Sequence, residues 1–125
     1  MSENVNRPRI LVVEDEFLIR LTLVEALGDE GYDVLEAESG DAALPMLDNG
    51  GISLLLTDIQ LPGSMNGRAL AGRLRQDMPD LPVIFMTGRP DQAFEIASPR
   101  DVFIAKPYTL NDICAAARRL VPQAA

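Results

Sequence analysis

The chain has no histidine, and its eleven basic residues are ten arginines and one lysine. Without histidine, the usual general base and metal ligand near neutral pH is missing. The single cysteine, Cys114, can neither close an internal disulfide nor anchor a structural zinc site. On its apolar stretch it is expected to be a small buried hydrophobe. No apolar run approaches the roughly 20 residues that a membrane span requires, and the polar segment Met1 to Pro8 lacks the apolar centre of a secretory signal. A soluble protein in a reducing cytoplasm is the expectation. Positive charge is also scarce: at a net charge of −8 there is no basic face to offset phosphate, so neither direct DNA binding nor binding to an anionic membrane is expected. Whatever chemistry the chain carries must run on carboxylates, hydroxyls and one amine.

What is present is a regular alternation. A chain of 125 residues suffices for one domain with one core. Short β-rich runs near 10–13, 33–37, 54–57, 83–86 and 102–105 alternate with stretches of helical spacing. The first helix is expected over about 16–30, burying Phe17, Leu18, Leu21, Val24 and Leu27 and closed by Gly31. A second follows Ser39 as N-cap over about 40–48, kinked by Pro45. A third spans about 67–77 and a last one about 110–120 behind Thr109, ending near Pro122. Between Thr87 and Val102, Gly88, Pro90, Ser98 and Pro99 leave only Asp91 to Ala97 for a short, weak helix. Residues 1–7 and 122–125 read as flexible ends around a domain of 8–121. Strict β–α alternation predicts an α/β fold, a doubly wound five-stranded parallel sheet, with its working site outside the carboxyl ends of the strands.

Those strand ends carry the polar residues. Ile10-Leu11-Val12-Val13 runs into Glu14-Asp15, Leu54-Leu55-Leu56-Thr57 into Asp58, Val83-Ile84-Phe85-Met86 into Thr87, and Val102-Phe103-Ile104-Ala105 into Lys106, the sole lysine. Singly, each has a plainer reading: Glu14-Asp15 as a turn and helix N-cap, Asp58 as a strand end at the surface, Thr87 as a β-former, Lys106 as a solvated cation. Jointly, two acids, an acid, a hydroxyl and an amine meet at one sheet edge.

This constellation resembles a response regulator receiver domain over about residues 8–121. The resemblance implies the flavodoxin-like strand order 2-1-3-4-5 and makes Asp58 the acceptor of a phosphoryl group from a histidine kinase or a histidine phosphotransfer protein. It implies a divalent cation, Mg2+ or Mn2+. Physical chemistry agrees, because clustered carboxylates repel by about 4 kcal/mol per pair at 4 Å when the effective dielectric is near 20. A hard ion with oxygen ligands relieves that: Asp15 and Asp58 directly, Glu14 directly or through water, and one backbone carbonyl, which the resemblance assigns to Gln60. Lys106 and Thr87 then meet the phosphoryl oxygens. Thr87 and Phe103 occupy the family's switch positions, although an aromatic in a strand also serves plain packing. Lys106-Pro107 matches a peptide bond that is cis in the family. The implied role is a switched protein-binding face, with a homodimer among the outcomes, and no enzymatic activity beyond the domain's own phosphoryl transfer and hydrolysis.

The chain departs from the family pattern in two places. Gly67 stands nine residues after Asp58, one more than the commonest spacing, so the intervening loop is expected to bulge. The Thr87 to Lys106 interval is shorter than in the chemotaxis receiver, in keeping with the weak helix at 91–97. Ile84-Phe85-Met86-Thr87-Gly88 resembles a receiver subset in which that helix is short or mobile. Gln60 and Arg89 stand where the family tunes acyl phosphate hydrolysis. Other readings fare worse. An aspartyl phosphatase or mutase usually carries a second acid two residues after the nucleophile, where this chain has Gln60. A flavin-binding domain needs a Ser/Thr/Gly-rich phosphate loop after the first strand, where this chain has acids. A receiver-like interaction module that is never phosphorylated is the remaining alternative.

Overall fold

The computed structural model describes residues 7–49, 51–88 and 98–122. All five apolar runs are strands: β1 Arg9–Val13, β2 Asp33–Ala37, β3 Leu54–Asp58, β4 Val83–Thr87 and β5 Asp101–Ala105. They pair in parallel in the order β2-β1-β3-β4-β5, the doubly wound order expected. β3 and β4 are buried throughout. Covered on both faces, they read as unbroken apolar runs rather than as alternating ones. Successive side chains still divide between the faces. Ile10, Val12, Leu54, Leu56, Ile84 and Met86 enter one core cluster, and Leu11, Val13, Leu55, Val83 and Phe85 enter the other.

Helices α1 Phe17–Asp29 and α4 Leu110–Leu120 cover the first face through Leu23, Leu27, Ile113 and Ala117. Helix α2 Gly40–Ala43 and helix α3 Gly67–Arg75 cover the second through Ala43, Leu70, Ala71 and Leu74. The ends of α4 follow the sequence closely. Thr109 and Asp112 form a reciprocal cap, with Asp112 N donating to Thr109 Oγ1 at 3.0 Å and Thr109 N to Asp112 Oδ2 at 3.2 Å. Cys114 is buried on this helix, as its apolar surroundings suggested.

Three expectations need correction. In α1, Phe17 and Leu18 are exposed at 60% and 71%, and the buried face is Leu23 and Leu27 flanked by Ile19, Val24 and Ala26. This helix is apolar on nearly every side, so spacing alone does not choose its inner face. The second helix does not kink at Pro45 but stops: α2 ends at Ala43 and Leu44–Asn49 continues as a 3-10 turn. Pro45 has no N–H for the Asp41 carbonyl and its ring crowds the preceding turn, so the α-helical ladder ends there. Helix α3 ends at Arg75, because Gln76 N bonds to Arg73 O and Asp77 N to Leu74 O in tighter three-residue turns. The short helix expected at 91–97, and Arg89, lie outside the described residues.

Arg75 ties α3 to the far end of the sheet. Its guanidinium donates twice to the Leu81 carbonyl, at 3.1 and 2.8 Å, and once to Asp101 Oδ1 at 2.6 Å, where the carboxylate is almost fully buried. Removing one partner of such a buried ion pair strands the other's charge. Arg75→Ala is therefore expected to lower the unfolding free energy by about 3 kcal/mol, read as a lower urea midpoint at an unchanged slope. A midpoint within error of the parent's would contradict this role.

Candidate functional site

The four polar strand ends converge. Glu14 follows β1 directly, and its backbone N–H donates to the Ala37 carbonyl at 3.1 Å, which holds the chain against β2 as it leaves the sheet. The Glu14 side chain turns inward and is 1% exposed. Its Oε2 accepts the Glu16 N–H at 3.0 Å, while Oε1 is buried with no hydrogen-bond partner among the described residues. Asp58 ends the central strand β3, buried, and Asp15 is exposed beside it. Carboxylate oxygens of Glu14, Asp15 and Asp58 lie within 4.8 Å of one another. Lys106, just past β5, extends its ammonium to 2.9 Å from both Asp58 oxygens and 3.9 Å from Glu14 Oε1. Thr87 ends β4 between them, buried, and its carbonyl accepts the Lys106 N–H at 2.7 Å. Lys106–Pro107 is cis. Gln60 lies exposed two residues beyond Asp58, at the start of the loop into α3.

The electrostatics follow from burial without full compensation. Burial raises the Glu14 carboxyl from 4.5 to about 7, with the neighbouring Asp58 carboxylate adding to the rise and the Glu16 N–H and Lys106 opposing it. Burial also works against the Lys106 ammonium, but the hydrogen bond and charge of Asp58, with Glu14 and Asp15 behind it, outweigh that and hold Lys106 above its ordinary value. A divalent cation suits this donor set. Every donor atom is a hard oxygen, one carboxylate oxygen is buried without a hydrogen-bond partner among the described residues, and the cluster carries more negative charge than one ammonium offsets.

Other residues at the edge escaped the sequence reading. Arg20 on α1 donates to the Glu14 carbonyl at 2.7 Å and to Glu36 Oε1 on β2 at 2.9 Å, fixing the backbone of the acidic pair. Tyr108, directly after Pro107, is pushed up to about 12 by burial and by the charges of Glu14 and Asp58. Its adjacency to Lys106-Pro107 was the available signal; Arg20 had none, since its partners are set by tertiary packing. Phe103 faces the second core cluster and stacks on Phe85 with ring centroids 5.1 Å apart. The Arg68 guanidinium lies over both rings, 5.4 Å from Phe103 and 5.8 Å from Phe85. Phe103 is thus part of the packing.

Fold and site together define a doubly wound α/β domain whose carboxyl edge carries an acidic cluster clamped by one lysine. The sequence matches the response regulator receiver domain over residues 10–118, and the chain belongs to that family of two-component signalling domains. It is 38% identical over 117 residues to the aerobic respiration control protein ArcA of Escherichia coli (strain K12), covering 91% of this chain and 48% of ArcA. The chain therefore spans about half the length of that relative. It is 41% identical over 108 residues to the response regulator receiver protein CpdR of Brucella abortus, covering 84% of this chain and 89% of CpdR. The structure superposes on the response regulator protein TrrA from Thermotoga maritima with a TM-score of 0.80 at 31% identity, covering 91% of this chain and 99% of that one. TrrA was crystallised in complex with Mg2+ and BeF.

The raised Glu14 value has a pH consequence with a definite sign. Between about 4.5 and 7 the native protein holds a proton that the unfolded chain releases, so native stability is fully supported below 4.5 and declines as pH rises through 7. Without divalent ions, urea unfolding should show a loss of about 3 kcal/mol from this source between acidic and mildly alkaline pH. Glu14→Gln should flatten that decline, and saturating Mg2+ should reduce it. An equal decline in the Glu14→Gln variant would assign it to other groups.

Proposed function

We propose that this domain accepts a phosphoryl group on Asp58 from the phosphohistidine of a histidine kinase or a histidine phosphotransfer protein, and so switches a protein-binding face. The observation that carries the reading is the Asp58 carboxylate at the end of the central strand, held through both oxygens by Lys106 and gathered with Glu14 and Asp15. One Asp58 oxygen attacks phosphorus. The new O–P bond forms as the P–N bond breaks, and the released electron pair stays on the departing imidazole. Asp15, Asp58, Glu14 and the Gln60 backbone carbonyl are the residues that would hold Mg2+ or Mn2+. When bound, the ion offsets charge on the transferring group.

The chain's own groups supply the rest. Lys106 occupies both Asp58 oxygens in the resting site, so it must release one for attack and then follow the charge onto the phosphoryl oxygens. The Thr87 hydroxyl donates to one of those oxygens. Phosphorylation adds about −1.5 to −2 charges and three acceptors, which draws Thr87 and Lys106 inward. Thr87 ends β4 and Lys106 directly follows β5, and within that strand pair Phe85 and Phe103 stand directly opposite each other. A shift of these strand ends therefore bears on the Phe103 stack, and through it on the face presented to a partner. On this reading the domain acts in the cytoplasm, beside its kinase, and catalyses no reaction beyond its own phosphorylation and hydrolysis.

Intact-mass measurement after incubation with a small-molecule phosphodonor tests this. Wild-type protein should gain one phosphoryl group with Mg2+ and none with excess chelator, and Asp58→Asn should gain none. Lys106→Ala should react at least about tenfold more slowly, having lost the cation that meets the developing charge. Absence of any gain in the wild type would favour an interaction module that works without phosphorylation.

A further inference from the structure

We infer that Asp41, on the first turn of α2 and outside the acidic cluster, is a positioning residue for the cation site, acting through Ser64. The inference rests on reading the acidic edge as a Mg2+ site. Gly67 stands nine residues after Asp58, and the loop between them has to be accommodated somewhere. At its base the loop is closed beside the acceptor. Gly67 N donates to the Ile59 carbonyl at 2.8 Å, and a side chain at Gly67 would collide with the Asp58 carbonyl.

Its outer arc is held by Asp41. Oδ1 accepts the Ser64 hydroxyl at 2.6 Å and Oδ2 the Ser64 N–H at 3.0 Å, two charge-assisted bonds to one residue. These bonds to Ser64 hold the Asp41 carboxyl below its ordinary value. Gly63 turns the chain there with φ 91°, and a Cβ on it would strike Asp41 Oδ2. Next to Asp41, Gly40 leaves no room for a Cβ against the Met65 side chain. The slack of the long loop is thus taken up by a fitted contact between residues 40–41 and 63–65.

This contact bears on the cation site because the same arc forms part of its surround. A cleft of about 370 Å3 is lined by Asp15, Glu38 and Ser39 together with Pro62 and Gly63. One wall holds a cation ligand and the other is the arc that Asp41 fixes. Further back, the loop begins at Gln60, whose carbonyl belongs to the proposed ligand set. Asp41 is exposed, so its two bonds contribute modestly to global stability. Their effect falls on where the loop sits, and groups that orient metal ligands from outside the coordination sphere commonly govern affinity by an order of magnitude or more.

The test is a Mg2+ titration by calorimetry of the wild type, Asp41→Ala, Asp41→Asn, Ser64→Ala and the Asp41→Ala/Ser64→Ala double variant, with urea unfolding of each in chelator. Asp41→Ala and Ser64→Ala are each expected to weaken Mg2+ binding about tenfold while unfolding near the wild-type midpoint. The double variant should bind no more weakly than the weaker single one, because both act through one contact. Asp41→Asn, which keeps an acceptor for the Ser64 N–H, should recover part of the loss. Wild-type affinity in folded Asp41→Ala, or additive losses in the double variant, would overturn the positioning role while leaving the Mg2+ reading intact. A wild-type protein that binds no Mg2+ would overturn both together.

Discussion

The structure depends on holding three carboxylates together against their mutual repulsion, with one ammonium as the nearby counter-charge. At contact distances each pair of charges costs about 4 kcal/mol in a partly screened site. Lys106 meets Asp58 at 2.9 Å and Glu14 at 3.9 Å, and burial, with the Asp58 charge adding to it, leaves a Glu14 carboxyl that keeps its proton to about 7. The strand order decides where that ammonium comes from. β5 does not pair with β3; β4 lies between them, so Lys106 spans roughly 10 Å of sheet to reach Asp58. Its backbone N–H is meanwhile fixed on the Thr87 carbonyl of the strand it crosses. Only a long, flexible side chain manages this, and an ammonium keeps three donors free to turn from one oxygen to another.

That constraint explains why the site was legible in the sequence and much of its support was not. A parallel strand buried on both faces reads as a run of apolar residues, and its carboxyl end is where the run meets a polar residue. Glu14, Asp58, Thr87 and Lys106 each mark such a boundary, so β–α alternation alone brings them to one edge. The supports obey no such rule. Arg75 on Asp101 and Arg68 over Phe85 and Phe103 are contacts between distant parts of the chain, and Arg20 reaches back six residues from helix α1 to the Glu14 carbonyl. In a chain so rich in arginine, nothing in composition separates these three from the solvated ones.

The errors in the helices have the same kind of origin. Periodicity selects an inner face only when a helix has a polar side, and α1 runs Phe17-Leu18-Ile19 into Leu21, Leu23 and Val24 almost without one. The packing of Leu23 and Leu27 against β1 and β3 side chains then settles the rotation, leaving Phe17 and Leu18 outside. Pro45 announced a disturbance correctly, but its outcome depended on what followed. With α2 only one turn long there was little helix to bend, and the chain tightened into a 3-10 turn instead.

The long loop after Asp58 is an irregular segment beside the acidic edge. An extra residue next to a charged site is a hazard, since slack in the backbone lets ligands drift by more than a hard cation tolerates. Here the base of the loop is closed by Gly67 against Asp58, so the slack cannot reach the acceptor from that side. It is displaced outwards to Gly63 and Ser64, where the left-handed turn at Gly63 absorbs it and Asp41 binds the result. Shortening helix α2 at Pro45 does not disturb this, because Asp41 lies in the turn before the break, behind the Ser39 cap. The irregular parts of this chain are thus arranged around the regular ones so that the acidic edge keeps one geometry.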